Sequence, residues 1–175
     1  MITNPYNIRR NLQLISGRFD VVMGSSRIED SVEAALCAKL ALMELCGWIE
    51  ETIDALLFDY VERKVPSKAL QDVIKKEVID TVYGFRYKQD FRPLMEKIIG
   101  VDKFQKILLR LHKKRMRDEM LKQTLTELSK ERNRAAHTHW QPGITPIFQA
   151  PSKTVESFLL LYPIIKSLER MLHNL

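Results

Sequence analysis

Apolar residues recur at helical spacing along almost the whole chain, and the first segment shows the pattern clearly. Asn4 followed by Pro5 is typical of a helix start, and Gly24 is typical of a helix end. Between them the apolar positions alternate at intervals of four and three residues, which places them on one face of a helix. These positions are Ile8, Leu12, Ile15, Phe19 and Val22.

A second and much longer helix is predicted to end at about Lys64. Ser26 and Glu29 have the spacing of a capping box at its start. Residues 34–49 are apolar almost all round the helix, which predicts that this stretch is central and contacted on several sides. The apolar positions of the helix include Val32, Leu36, Leu40, Met43, Leu45, Ile49, Ile53, Leu57 and Tyr60.

Two short helices are predicted next. Pro66 and Ser67 break the chain and cap the first of them, which Gly84 is expected to end. The second runs from Asp90 to Gly100. The positions predicted to face inward on the first are Leu70, Val73, Ile74, Val78 and Val82.

The helical period resumes at Asp102, weakens through the polar residues 112–119 and recovers before His137. This pattern leaves open whether one long helix or two helices with a break near 113–118 are present. A Pro/Gly-rich loop follows, and Ser152 is predicted to cap a last helix that Pro163 kinks. The apolar positions of this last helix are Val155, Phe158, Leu159, Ile165, Leu168 and Leu172.

Together these elements predict an all-α protein with no strand. The first, second, 118–137 and last helices predict a four-helix up-and-down bundle, and about 66–112 is a helical insertion between its second and third helices. A length of 175 residues indicates a single domain over 1–175. The longest nearly apolar stretch is too short to span a bilayer and no signal peptide is evident, so we expect a cytoplasmic protein without a membrane partner. Two unpaired cysteines, Cys37 and Cys46, agree with a reducing compartment.

The placement of charge is more informative than the net charge of +6. Residues 101–134 contain eleven Lys and Arg against five Asp and Glu, so this segment holds the whole positive surplus. A basic segment favours an anionic partner, nucleic acid first. A solvated helix face explains the same composition without a partner.

The segment from Arg132 to His137 reads Arg-Asn-Arg-Ala-Ala-His and closes the helical pattern. Asn133 and His137 are four residues apart and share a helix face, and the long Arg132 side chain can reach the same place if the helix ends there. A histidine takes or gives a proton near neutral pH, and an arginine binds phosphate with a planar fork. The spacing alone also allows Arg134 or Arg132 with His139, and it allows a plain cationic helix end.

Other chemistry has little support in the sequence. No Gly-rich phosphate loop and no Cys/His cluster with zinc spacing occurs, so neither a metal nor a cofactor is predicted. Glu50 and Asp54 share a helix face, but such acids are usually just solvated. Glu44 interrupts the most apolar stretch, where a bare carboxylate is costly. It is predicted to face Arg132 or His137, or else to reach solvent or a dimer seam.

The pattern Arg132-Asn133-x-x-Ala136-His137, placed at a helix end before the last helix, resembles the HEPN superfamily. The segment 42–50, where an acid stands among apolar residues, is similar to the second helix of bacterial HEPN proteins. The Pro-rich loop and capped last helix are similar to the RiboL-PSP type. The resemblance covers most of the chain apart from 66–112.

This resemblance implies a metal-independent endoribonuclease that acts as a homodimer, with the motifs of the two copies facing each other across the interface. His137 would be the acid or base for attack of a ribose 2′-hydroxyl on the adjacent phosphate, which leaves a 2′,3′-cyclic phosphate and a 5′-hydroxyl. Arg132 would stabilise the charge on the phosphoryl oxygens, and Asn133 would orient the histidine or the phosphate. Glu44 is a further catalytic candidate. The predicted RNA-binding residues are Arg134, His139, Lys113, Lys114, Arg115 and Arg117.

The resemblance also implies a toxin or phage-defence effector with a possible antitoxin partner. Relatives that are paired with nucleotidyltransferase antitoxins carry a tyrosine two residues after the histidine, and this chain has His139 there. Inhibition by adenylylation at that position is therefore not predicted. The alternative function is a non-catalytic HEPN-like adaptor that binds RNA, nucleotide or a partner protein. A purely structural helical subunit is the third possibility.

Overall fold

A computed structural model describes residues 4–24, 28–138 and 148–175, with the side chains of Ile28 and Glu29 excepted. All regular structure in these ranges is helical, which confirms the predicted all-α class. The helices are α1 (Tyr6–Met23), α2 (Ile28–Lys64), α3 (Lys68–Ile74), α4 (Arg92–Ile99), α5 (Val101–His112), α6 (Arg117–His137) and α7 (Pro151–His173). Two π-helical turns, Lys75–Ile79 and Tyr87–Phe91, follow α3 and precede α4.

The ends of α1 and α2 agree with the sequence prediction, and α1 begins at Tyr6, one residue after the predicted first helical position at Pro5. The Asn4 side-chain oxygen accepts a hydrogen bond from the Tyr6 backbone N–H at 3.0 Å, which satisfies one of the free donors at the start of α1. Gly24 follows the last residue of α1, and α2 ends at Lys64 as predicted. The predicted cap at Ser26 lies outside the described residues.

Residues 34–49 were predicted to be central and contacted on several sides, and the structure limits this contact to one part of the surface of α2. Ala34, Ala38 and Leu45 are buried, but Leu36 and Leu40 keep 55% and 50% of their surface exposed. Helix α2 therefore buries one broad stripe and leaves a pair of leucines, one turn apart, in contact with solvent.

The buried face of α3 differs from the predicted one. Ser67 caps it as predicted and accepts a hydrogen bond from the Leu70 backbone N–H. However, Leu70 and Val73 are exposed, and the buried residue is Gln71. The Gln71 amide donates to the backbone carbonyls of Val65, at 2.7 Å, and of residue 62, at 3.3 Å. One of these carbonyls lies in the last turn of α2 and the other just after it, where no intrahelical donor remains, so a polar side chain is favoured inside.

The helical run that starts at Lys68 also ends earlier than predicted, at Ile79 rather than at Gly84. The possible break after α5 is present. Arg115 and Met116 adopt left-handed backbone conformations, with φ of 62° and 54°, and separate α5 from α6. Two adjacent left-handed residues that are not glycine are energetically costly, by roughly 1–2 kcal/mol each. The turn is therefore a defined structure rather than a weak point in one long helix.

Helix α7 begins at Pro151, one residue before the predicted start, so Ser152 lies inside the first turn and is not the cap. Proline suits the first helical position because its missing N–H would be unpaired there. The helix continues through Pro163 to His173. Leu159, predicted to face inward, keeps 57% of its surface exposed.

The chain forms two compact units, each built from segments distant in sequence. The first contains residues 49–126 and 161–175, and the second contains residues 4–48 and 127–160. Helices α2, α6 and α7 contribute residues to both units. Within the ranges that the structure describes, no helix is both long enough and apolar enough to cross a membrane.

Candidate active site

The predicted motif occupies the last turns of α6, in the second unit. Ala135 is fully buried and fixes which side of these turns faces the interior. Asn133 and His137 are both exposed, and their spacing of four residues places them on one face of the helix. The amide and the imidazole are therefore available together to a ligand in solution.

Arg132 is half-buried beside this exposed pair. Its Nη1 lies 3.4 Å from the Asn133 side-chain oxygen, a long contact for a hydrogen bond. The guanidinium of Arg132 therefore lies beside the Asn133 carboxamide, which is on the same helix face as His137. The structure thus brings Arg132 and Asn133 into contact.

Arg134 is held by neighbouring residues. Its Nη2 donates to the Glu131 carboxylate at 2.6 Å, and its guanidinium lies over the Phe148 ring at 5.5 Å from the centroid. A charge-assisted hydrogen bond and a cation–π contact both restrict the side chain. Arg134 was predicted to bind RNA, and in this arrangement only the part of its guanidinium that Glu131 does not use remains for an anion.

The end of α6 is fastened by two hydrogen bonds. The Lys39 ammonium of α2 donates to the backbone carbonyl of Thr138 at 2.9 Å, and the Thr138 hydroxyl donates to the Arg134 carbonyl at 2.6 Å. The last carbonyls of a helix have no intrahelical donors, and a cation also suits the negative end of the helix dipole. Lys39 therefore positions the turn that carries His137. The sequence signal for this role is the lone cation in the apolar stretch 34–49.

The Glu44 carboxylate accepts a hydrogen bond from the Asn11 side-chain amide of α1 at 2.9 Å. A second polar pair, Arg18 with Glu33 at 2.6 Å, also joins α1 to α2. Glu44 therefore connects two helices in the structure. A contact of its carboxylate with Arg132 or His137 stays a prediction.

The other predicted RNA-binding residues lie at the start of α6. Lys113, Lys114 and Arg115 form the turn before it, and Arg117 is its first residue. Twenty residues separate Arg117 from His137, which corresponds to about 30 Å of helix. The candidate His139 lies outside the described residues.

Metal chemistry finds no geometric support in the described part of the chain, which contains no group of three or more His, Cys, Asp and Glu side chains able to hold an ion. The pair Glu50 and Asp54 belongs to the first unit. Burial, together with the nearby carboxylates of Asp80 and Glu50, raises the pKa of Asp54 to about 6, and Lys75 acts in the opposite direction. Burial also raises the pKa of the Cys37 thiol, which makes it a weaker nucleophile.

A small cavity lies beside the motif, between α2, α6 and the start of α7. Its volume is about 20 Å³, and Glu131, Phe148 and Lys153 are among the residues that line it. Such a space holds one water molecule at most. The cavity is therefore too small to hold a nucleotide.

Comparison of the chain with protein-family models, with curated proteins and with solved structures finds no match.

Proposed function

We propose that the chain is a metal-independent endoribonuclease of the HEPN type. The observation that carries the proposal is the exposed cluster at the end of α6, where Asn133 and His137 share a face and Arg132 contacts Asn133. An imidazole, a carboxamide and a guanidinium in one place supply proton transfer, orientation and charge stabilisation for cleavage of a phosphodiester.

In the proposed reaction His137 removes the proton of a ribose 2′-hydroxyl or protonates the departing 5′-oxygen. The 2′-oxygen attacks the adjacent phosphorus, the bond from phosphorus to the 5′-oxygen breaks, and a 2′,3′-cyclic phosphate and a 5′-hydroxyl remain. Arg132 binds the phosphoryl oxygens as negative charge increases on them. The reaction requires two proton transfers, one from the 2′-hydroxyl and one to the 5′-oxygen, and one histidine serves one of them. A second copy of the motif nearby is therefore expected.

We further propose that the protein acts as a homodimer in which α2 lies at the interface. Leu14, Leu36 and Leu40 keep 63%, 55% and 50% of their surface exposed. Their positions fall between the two polar pairs that join α1 to α2, so the three leucines lie along one pair of antiparallel helices. Exposed apolar groups mark an interaction surface where they form a contiguous patch. Lys39, which precedes Leu40, contacts Thr138, so a second copy bound there would lie beside the motif.

Cleavage of RNA in the presence of EDTA tests the catalytic proposal. Purified protein is incubated with a labelled single-stranded RNA, and the products are analysed for cyclic-phosphate and 5′-hydroxyl ends. The His137→Ala variant is compared with His173→Ala, which removes an exposed histidine from the first unit. We expect cleavage by the wild type and by His173→Ala, and no cleavage by His137→Ala.

Binding of RNA without cleavage by the wild type would refute the nuclease and favour the adaptor function. Equal activity of both histidine variants would show that His137 is not required for cleavage. The oligomer is tested separately by light scattering at tens of micromolar. Leu36→Asp is compared with Leu109→Asp, another exposed leucine. A monomeric wild type would refute the dimer. A role as a toxin or defence effector and an antitoxin partner stay predictions.

A further inference from the structure

A basic cleft lies in the first unit, where the ends of α5 and α7 meet. Its volume is about 450 Å³, which is within the range of small-molecule sites. Four cationic side chains, one hydroxyl, one amide and one thioether line it: Arg110, Lys113, Lys114, Arg170, Ser167, Asn174 and Met171.

The positive charge of this cleft is larger than the partial negative charge of the two helix ends beside it. Helices α5 and α7 end at His112 and His173, and each helix end carries about half a negative charge. Together they offset about one of the four positive charges. The nearby Asp118 carboxylate is paired with the His112 imidazole at 3.0 Å. A surplus of about three positive charges therefore faces a single concave volume.

The wall and the rim of the cleft are fixed by contacts of their own. Ser167 is buried, and its hydroxyl accepts a hydrogen bond from Arg117 at 3.1 Å and donates to the Pro163 carbonyl at 2.8 Å. The turn that carries Lys113 and Lys114 continues into the two left-handed residues before α6. Backbone strain of this kind is concentrated at functional sites. The lysines are therefore presented by a defined turn, not by a loose segment.

We propose that this cleft binds a compact polyphosphate, either the phosphate chain of a nucleotide or free polyphosphate. The cations converge on one volume from α5, the following turn and α7, which suits several linked phosphates better than an extended strand. No aromatic side chain is among the lining residues, so no stacking platform for a base is present there. Phosphate oxygens, rather than a base, are therefore the recognised group. The proposal does not depend on ribonuclease activity.

Titration calorimetry with the full chain tests the proposal. The probes are inorganic tripolyphosphate, ATP, orthophosphate and a single-stranded RNA of twelve nucleotides, the last with the His137→Ala variant so that the RNA stays intact. The double variant Lys113→Ala/Lys114→Ala is compared with Lys76→Ala/Lys97→Ala. The second pair removes the same charge from exposed positions of the first unit that do not line the cleft. Arg170→Gln tests the opposite wall independently.

We expect tripolyphosphate and ATP to bind, orthophosphate to bind at least tenfold more weakly, and the cleft variants to lose at least tenfold in affinity while the control pair does not. Equal affinity for tripolyphosphate and ATP would assign recognition to the phosphates alone. Tighter binding of ATP would add a contribution from the nucleoside, and both results support the proposal. Equal loss in the control pair, or equal binding of orthophosphate, would overturn it. So would RNA binding that needs the cleft lysines but is not displaced by tripolyphosphate.

Discussion

Replacement of Lys39 by methionine should loosen the end of α6 where the motif lies. Methionine keeps a side chain of similar length but cannot donate to the Thr138 carbonyl, which Lys39 contacts at 2.9 Å. Hydrogen bonds from charged groups contribute about 1.5–3 kcal/mol, and water can replace part of this one because Thr138 is half-exposed. We therefore expect a loss of about 1–2 kcal/mol in the free energy of unfolding.

For a protein of this size, a loss of about 1–2 kcal/mol lowers Tm by roughly 2–8 °C. Urea unfolding measures the loss directly, and amide hydrogen exchange of residues 135–138 locates it. The matched control is Lys153→Met, which removes an exposed ion pair with Glu156 and should cost less than about 0.5 kcal/mol.

The result that would refute this reasoning is an equal effect of the two variants on stability, or unchanged exchange at the end of α6. If RNA cleavage is established, Lys39→Met should reduce it more than Lys153→Met does, since Lys39 positions the turn of His137. The lost activity should appear in kcat, because the exposed surface that binds substrate is unchanged.

Three further predictions concern pH and the motif. Asp54→Asn should stabilise the fold above pH 6, because the folded pKa of about 6 exceeds the ordinary 3.8 and ionisation destabilises the folded state. The difference corresponds to about 3 kcal/mol, which solvent screening of a half-exposed carboxyl reduces to about 1 kcal/mol. The gain should disappear in urea unfolding at pH 4, and the same gain at both pH values would contradict this cause. His137→Ala should lower RNA cleavage by at least 10²-fold, and His139→Ala should only weaken it. An inactive His139→Ala variant together with an active His137→Ala variant would show that His139 is the essential histidine of the motif. Arg132→Lys should be nearly as inactive as Arg132→Ala, because lysine lacks the planar fork, and full activity of the lysine variant at two salt concentrations would exclude a catalytic role.

The helix limits were predictable where the chain itself specifies them. Asn4 and Pro5 mark the start of α1, Gly24 marks its end, and Ser67 caps α3, all through local backbone geometry. The shared exposed face of Asn133 and His137 was predictable for the same reason, since the helical repeat alone brings them together.

Features that depend on distant segments could not be predicted in this way. The apolar pattern placed Leu70 inside and ignored Gln71, because it does not register the unpaired carbonyls at the end of α2. The contact of Glu44 with Asn11 and that of Lys39 with Thr138 join residues 33 and 99 positions apart. No local spacing encodes either contact, and the second one fixes the turn that the proposed mechanism requires.

The interleaving of the two units has a consequence for synthesis of the protein. Both units require residues from α7, so neither has all its parts until the ribosome has passed residue 160. At about 5–20 residues per second, Lys39 is made roughly 5–20 s before Thr138 exists to accept its hydrogen bond. A nascent chain that has not reached Thr138 therefore cannot fasten the end of α6, and the second unit lacks part of α7 until residue 160 has been added.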